Sequence, residues 1–97
     1  MSNYDWINLI PEGWENIAKN MIKRCENIDP NYKIIDMKEK YGTLRIYSIC
    51  DSEHYSEIEE IEEQTEQISK NYCIICGRPA TRIFSYCPFC DIHDNNI

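Results

Sequence analysis

Glycine, proline and positive charge are all scarce in this chain. Three Gly and four Pro in 97 residues leave little material for a long flexible linker. Ten Lys and Arg stand against 17 Asp and Glu, a net charge of −7. Phosphate backbones are gripped by positive charge, so this balance argues against tight nucleic-acid binding. No apolar run approaches the ~18 residues that a membrane-spanning helix needs. The opening MSNYDWINLIPEG has no basic stretch followed by an apolar one, so no secretion signal is expected and the expected compartment is the cytoplasm. What is present is ordinary for a folded domain. Hydrophobic residues make up 42% and charged residues 28%, which argues against wholesale disorder. A chain of this length is near the size at which a core alone becomes marginal.

The charge is unevenly placed. Residues 1–50 carry seven acids and seven bases, and residues 51–69 carry eight acids and no Lys or Arg. Residues 70–97 carry three bases and two acids. The whole net charge therefore sits in one central segment.

Periodicity predicts four elements. From about Pro11 to Cys25, the residues Trp14, Ile17, Ala18, Met21, Ile22 and Cys25 recur at steps of three or four and mark one face of a helix. Asp29-Pro30 ends it. Tyr32 to Met37 and Thr43 to Cys50, rich in Ile and Tyr, read as strands joined through Lys38-Glu39-Lys40-Tyr41-Gly42. On the second strand, Leu44, Ile46 and Ser48 should face one side and Arg45, Tyr47 and Ile49 the other. From about Ser52 to Lys70, a stripe of Tyr55, Ile58, Ile61, Thr65, Ile68 and Tyr72 predicts a second helix, with Asp51 or Ser52 able to cap it. The expected fold class is α+β, a helix–β-hairpin–helix body (residues 11–70) followed by a C-terminal zinc knuckle (residues 71–93), all in one domain. The two helices are expected to pack on one face of the hairpin, and the knuckle to fold onto the end of the second helix.

Four of the six cysteines fall in the last quarter of the chain, in CIICGRPATRIFSYCPFCDIH. Two cysteines separated by two residues in a tight turn present both thiolates to one tetrahedral ion, and a second pair completes the set. Paired spacing in a cytosolic chain favours zinc over disulfides. Five ligands compete for four places: Cys73, Cys76, Cys87 and Cys90, or Cys73, Cys76, Cys90 and His93. Enough Cys and His are present to close the shell, so the expected site is structural. No Glu lies inside the cluster to serve as a base.

Gly13-Trp14 at the head of the first helix, Lys38-Glu39-Lys40-Tyr41-Gly42-Thr43-Leu44-Arg45-Ile46-Tyr47 in the hairpin, Cys73 to Pro79, and Pro88-Phe89-Cys90-Asp91-Ile92-His93 together form a pattern. It resembles a family of small zinc-binding proteins of bacteria and their phages, over roughly residues 12–93. The resemblance implies that Cys73, Cys76, Cys90 and His93 hold the metal, with Cys87 in reserve. It implies no settled activity. Many members look phage-borne, which implies an accessory role in a host cell.

The acids Asp51, Glu53, Glu57, Glu59, Glu60, Glu62, Glu63 and Glu66 form a row that is either a solubilising, solvated face or an imitation of DNA phosphates for a basic groove. The expectation is a non-enzymatic binding protein that meets a host protein and inhibits it. The alternative is a nucleic-acid-binding zinc module using Lys70, Arg78 and Arg82. A zinc hydrolase would need an open metal position. Lys38, Lys40 and Arg45 are expected on a basic side of the hairpin, with Tyr41 at its tip and Arg45 within reach of a Glu of the acidic helix. Trp14, Cys25 and Cys50 read as core, Tyr4 and Trp6 as a cover at its edge, and His54 as a surface or capping residue.

Overall fold

The computed structural model describes residues 2–94. It is an α+β arrangement of helices and two small antiparallel hairpins. In chain order come a 3-10 helix Asn3–Leu9, a 3-10 turn Glu12–Trp14, α1 (Glu15–Ile28), β1 (Lys33–Lys40), β2 (Thr43–Ile49), a 3-10 turn Ser52–His54, α2 (Tyr55–Ser69), β3 (Arg82–Phe84), β4 (Cys87–Phe89) and α3 (Asp91–Asp94).

The apolar stripe of α1 is buried as its spacing requires. Ala18, Met21, Ile22 and Cys25 are all inside, as is Trp14 just ahead of them, while Ile17 is half-buried. The helix stops at Asp29, whose carboxylate bridges two segments. Its Oδ1 accepts from the Asn31 N–H at 2.8 Å and its Oδ2 from the Asp51 N–H at 2.7 Å. These bonds hold the Asp29 carboxyl below its usual pKa, the Asp51 amide contributing most and burial opposing.

Strand β1 runs further toward the turn than expected, to Lys40, β2 matches its expected span to within one residue, and the turn is shorter. The five residues Lys38 to Gly42 are not a loop. Lys38 pairs with Arg45, Glu39 with Leu44 and Lys40 with Thr43, leaving Tyr41 and Gly42 as a two-residue turn. Both have positive φ, 54° and 77°, which matches the right-handed twist of the flanking strands. From sequence, Lys38 to Lys40 are expected in the turn, because Lys and Glu fit a loop as readily as a solvated strand. The register slips once, at Ile35. Leu44 and Ile46 face inward while Tyr47 and Ile49 face out, as alternation predicts.

In α2 the buried positions are Ile58, Ile61, Thr65 and Ser69. Tyr55 and Ile68, expected on the same stripe, are exposed. Neither Asp51 nor Ser52 caps the helix with its side chain. Asp51 instead accepts from Asn31 Nδ2 at 3.1 Å.

The packing also differs from two helices laid on one sheet face. α2 lies against both α1 and β2, whereas β1 is covered by the N-terminal 3-10 helix, which periodicity did not reveal. Its seven residues are too few to show a repeat. Asn3 ties it down: its Oδ1 accepts from the Ile34 N–H at 2.8 Å and its Nδ2 donates to the Tyr32 carbonyl at 2.9 Å. Trp6 is packed against the core as expected, and Tyr4 stays exposed.

Candidate metal centre

The chain leaves α2 through Lys70 and Asn71 and turns at once into the first Cys-x-x-Cys. The Cys73 N–H donates to the Arg78 carbonyl at 2.7 Å and the Gly77 N–H to the Cys73 carbonyl at 2.9 Å. Gly77 takes φ 79°, so the turn closes where a side chain would be strained. The second half of the site is carried by the β3–β4 hairpin. Its turn, Ser85 and Tyr86, has φ 48° and 71°, the same two-residue form as the first hairpin but without glycine. The Ile74 N–H donates to the Pro88 carbonyl at 3.0 Å, which stitches the two halves together, and the Thr81 N–H donates to the Phe89 carbonyl at 2.8 Å, which extends the hairpin ladder.

This folding brings Cys73, Cys76, Cys90 and His93 together. Their ligand atoms all lie within 4.8 Å of one another, close enough to hold a metal ion. Cys73 Sγ is 3.5 Å and Cys90 Sγ 3.3 Å from His93 Nδ1, and Cys76 Sγ is 3.5 Å from Cys90 Sγ. All six cysteines are free thiols, so no disulfide competes for these sulfurs. Cys87 does not belong to the group.

The electrostatics differ among the cysteines of the group: the Arg78 backbone lowers Cys76, but burial and its hydrogen bonds to Cys90 and Cys73 outweigh this and raise it, while Cys73 and Cys90 go down. Burial raises the Cys73 thiol, but the N–H groups of Cys76, Cys90 and Ile75 outweigh it and bring it down to about 6. Cys90 is lowered in the same way, against burial, by the His93 backbone and its neighbouring ligands. At Cys73 and Cys90 the thiolate, which is the ligating form, is thus favoured. Hydrogen bonds to Cys90 and Cys73 raise His93. Cys87 goes the other way: burial and the nearby Glu39 carboxylate both raise it, so its thiolate is disfavoured.

The knuckle docks on the start of α1 and on the tip of the first hairpin, rather than only on the end of α2. The Gly13 N–H donates to the Ile74 carbonyl at 3.1 Å. A methyl group at Gly13 would run into the Cys73 carbonyl and lie 2.7 Å from the Ile74 carbonyl carbon. Trp14, fully buried, donates from Nε1 to the Tyr72 carbonyl at 3.2 Å. At the hairpin tip, a methyl group on Gly42 would strike the Tyr86 carbonyl, and the Tyr41 and Tyr86 rings meet edge to face at 5.6 Å. Gly13-Trp14 and Gly42 are therefore the seats on which the segment carrying the Cys/His cluster rests.

The acidic row divides into two groups. Glu66 accepts from the Ile46 N–H at 2.9 Å, and Ser69 Oγ accepts from the Leu44 N–H at 3.0 Å. These side chains fill the open edge of β2, which would otherwise offer unpaired donors. Glu62 accepts from Tyr32 Oη at 2.7 Å and from Ser48 Oγ at 2.6 Å. Burial raises its pKa more than these bonds lower it. The signal for this was present in sequence: Glu62, Glu66 and Ser69 fall at helical steps beside the Ile stripe. Glu57, Glu59, Glu60 and Glu63 remain exposed.

Arg45 pairs with no Glu of α2 among the described residues, and its buried Nε has no hydrogen-bond partner. Lys38 pairs with Asp36 at 3.3 Å instead. His54 stands beside Glu53 at 3.6 Å, half-buried at the start of α2. Cys25 is buried and its thiol is pushed up to about 12, chiefly by desolvation; Cys50 is half-buried against the same core.

Comparison with protein-family models, with curated proteins and with solved structures finds no match for this chain.

Proposed function

We propose that the chain is a non-enzymatic binding protein, stabilised by a structural zinc ion, that presents the free acidic face of α2 to a basic groove on a partner protein. The donor set supports the first half of this reading. Three sulfurs and one imidazole nitrogen are the closed set of structural zinc sites. An ion about 2.3 Å from sulfur and about 2.0 Å from nitrogen needs ligand atoms roughly 3.5–3.8 Å apart, and the separations above lie near that range. With four protein ligands in place, no position is left for a reactive water. His93 would bind through Nδ1.

The observation that carries the second half is a set of exposed carboxylates that answer no cation of the chain among the described residues. Glu57, Glu59, Glu60 and Glu63 are exposed on α2, and none of them forms an ion pair among the described residues. The helix holding them is fixed by its packing on α1 and β2. A rigid row of negative charge complements a groove built for a phosphate backbone. The resemblance to phage-borne proteins adds a host nucleic-acid-processing factor as the kind of partner.

Two measurements test this. Metal analysis should find one zinc ion per chain, retained in Cys87→Ser and lost in Cys73→Ser; loss of zinc from the Cys87 variant would overturn the ligand assignment. The zinc-loaded protein should capture a DNA-binding protein from nuclease-treated lysate, and added duplex DNA should displace it. A variant with Glu57, Glu59, Glu60 and Glu63 changed to Gln should not capture it. Equal capture by both forms would remove α2 from the interface.

A further inference from the structure

From the groove between α2 and β2, we infer that the partner inserts an arginine flanked by apolar side chains beside the acidic face. This rests on the reading of α2 as a contact surface and narrows it to one place and one chemistry.

The groove has a volume of about 340 Å3. Ile35, Tyr47 and Tyr55 line it and remain 52%, 48% and 59% exposed. Large apolar side chains gathered at one groove mark a contact site, in contrast to apolar residues scattered singly. Glu59 and Glu63 form part of its wall. The same groove thus offers apolar area and negative charge together. The Tyr55 hydroxyl engages Glu59 but brings no charge, so an aliphatic side chain alone would leave the carboxylates without a countercharge, and a bare cation would leave the apolar surface wet. Arginine answers both, because its planar guanidinium stacks on a tyrosine ring and forks onto a carboxylate.

The mode of binding is also constrained. A partner strand cannot extend the sheet here, because the Leu44 and Ile46 amides of β2 are already bonded to Ser69 and Glu66. Recognition must come from side chains entering the groove, as when an amphipathic segment lies in a cleft. The volume suits one large side chain and part of a neighbour.

The test uses the zinc-loaded protein and two fluorescein-labelled peptides, one alternating arginine and leucine, the other arginine and glycine. Binding is read by fluorescence anisotropy, and circular dichroism and metal content confirm that each variant is folded. Tyr55→Ala and Ile35→Ser remove the apolar lining. Glu59→Gln with Glu63→Gln neutralises the wall. Glu57→Gln with Glu60→Gln makes the same charge change beside a different cleft, one lined by Arg24 and Ile28. The arginine–leucine peptide should bind the native protein more tightly than the arginine–glycine peptide. Either lining change, and the wall pair, should weaken it by about tenfold, while the Glu57 and Glu60 pair should change it by less than about twofold. If the lining variants bind like the native protein and both glutamine pairs weaken binding alike, the groove is refuted and the acidic face stands. If neither peptide binds the native protein, the acidic-face reading fails and takes the groove with it.

Discussion

Between Ile7 and Ile61 the chain buries fourteen hydrophobic side chains in one cluster. From Cys73 onward, only Cys73, Pro88 and Cys90 are buried among the described residues. The knuckle leaves Ile83, Phe84, Tyr86 and Ile92 exposed. The first region is held by apolar burial, each fully buried aliphatic or aromatic side chain contributing on the order of 1.5–3 kcal/mol. The second has no core of its own; backbone hydrogen bonds and three points of rest on the first hold it, and it gathers four side chains close enough to hold a metal ion. A short segment rich in turns cannot bury enough surface to offset its ordering entropy. Under the proposed zinc reading, gathering four ligands on one ion would solve that problem locally.

The contrast can be broken most severely at the metal. Chelation, or Cys76→Ser, should lower the thermal midpoint and strip hydrogen-exchange protection from residues 72–93, while amides of α1 and β2 stay protected. In small zinc domains, ligation supplies ~10 kcal/mol or more of apparent free energy. Unchanged unfolding after metal removal would show that the knuckle stands on its own packing.

A smaller effect is expected where the regions touch. Gly42→Ala places a methyl group against the Tyr86 carbonyl at a φ of 77° that alanine resists. We expect a loss of about 1–3 kcal/mol and, by calorimetry, one unfolding transition for the native protein but two for the variant. One unchanged transition would mean that the hairpin tips do not couple body and knuckle.

The smallest effect belongs to the body alone and follows pH. Asp29 has a folded pKa below its ordinary 3.8. Its stabilisation is therefore present above that value and is lost as pH falls through the folded pKa. Asp29→Asn should lower the thermal midpoint at neutral pH and matter progressively less as acid is added. Glu62 has the opposite sign: its folded pKa is above 4.5, so its share is full below that value and fades as pH rises through the folded pKa. Glu62→Gln should accordingly flatten the pH dependence just above 4.5, seen in the same melts. A gap between Asp29→Asn and the native protein that stayed constant down to strong acid would contradict the bridging role of Asp29.

Much of the body was legible because period and burial agree. Ala18, Met21, Ile22 and Cys25 repeat at helical steps and lie inside, and Leu44 and Ile46 alternate with Tyr47 and Ile49. Tyr55 shows where that logic stops. It fits the stripe of α2, yet it sits in the first turn beside the groove and stays exposed. The hairpin turn was misplaced for a related reason: Lys38 to Lys40 carry no burial signal, and only cross-strand pairing assigns them to β1. At the metal site, spacing left Cys87 and His93 as rivals. The fold separates them by placing Cys87 beside Glu39 and His93 beside two thiols.

Residue type and local spacing by themselves determined the helical stripe, the strand alternation and the clustering of thiols, because those properties depend on neighbours a few positions apart. They also concentrated the negative charge in one segment. Tertiary structure alone decided which acids are free, since Glu62 and Glu66 are committed only when β2 and Tyr32 come alongside α2. It alone explained Gly13 and Gly42, whose missing side chains matter because the Cys73 and Tyr86 carbonyls, far away in the chain, occupy the space. Packing between distant segments leaves no periodic trace in a sequence, because each partner's position depends on the whole fold.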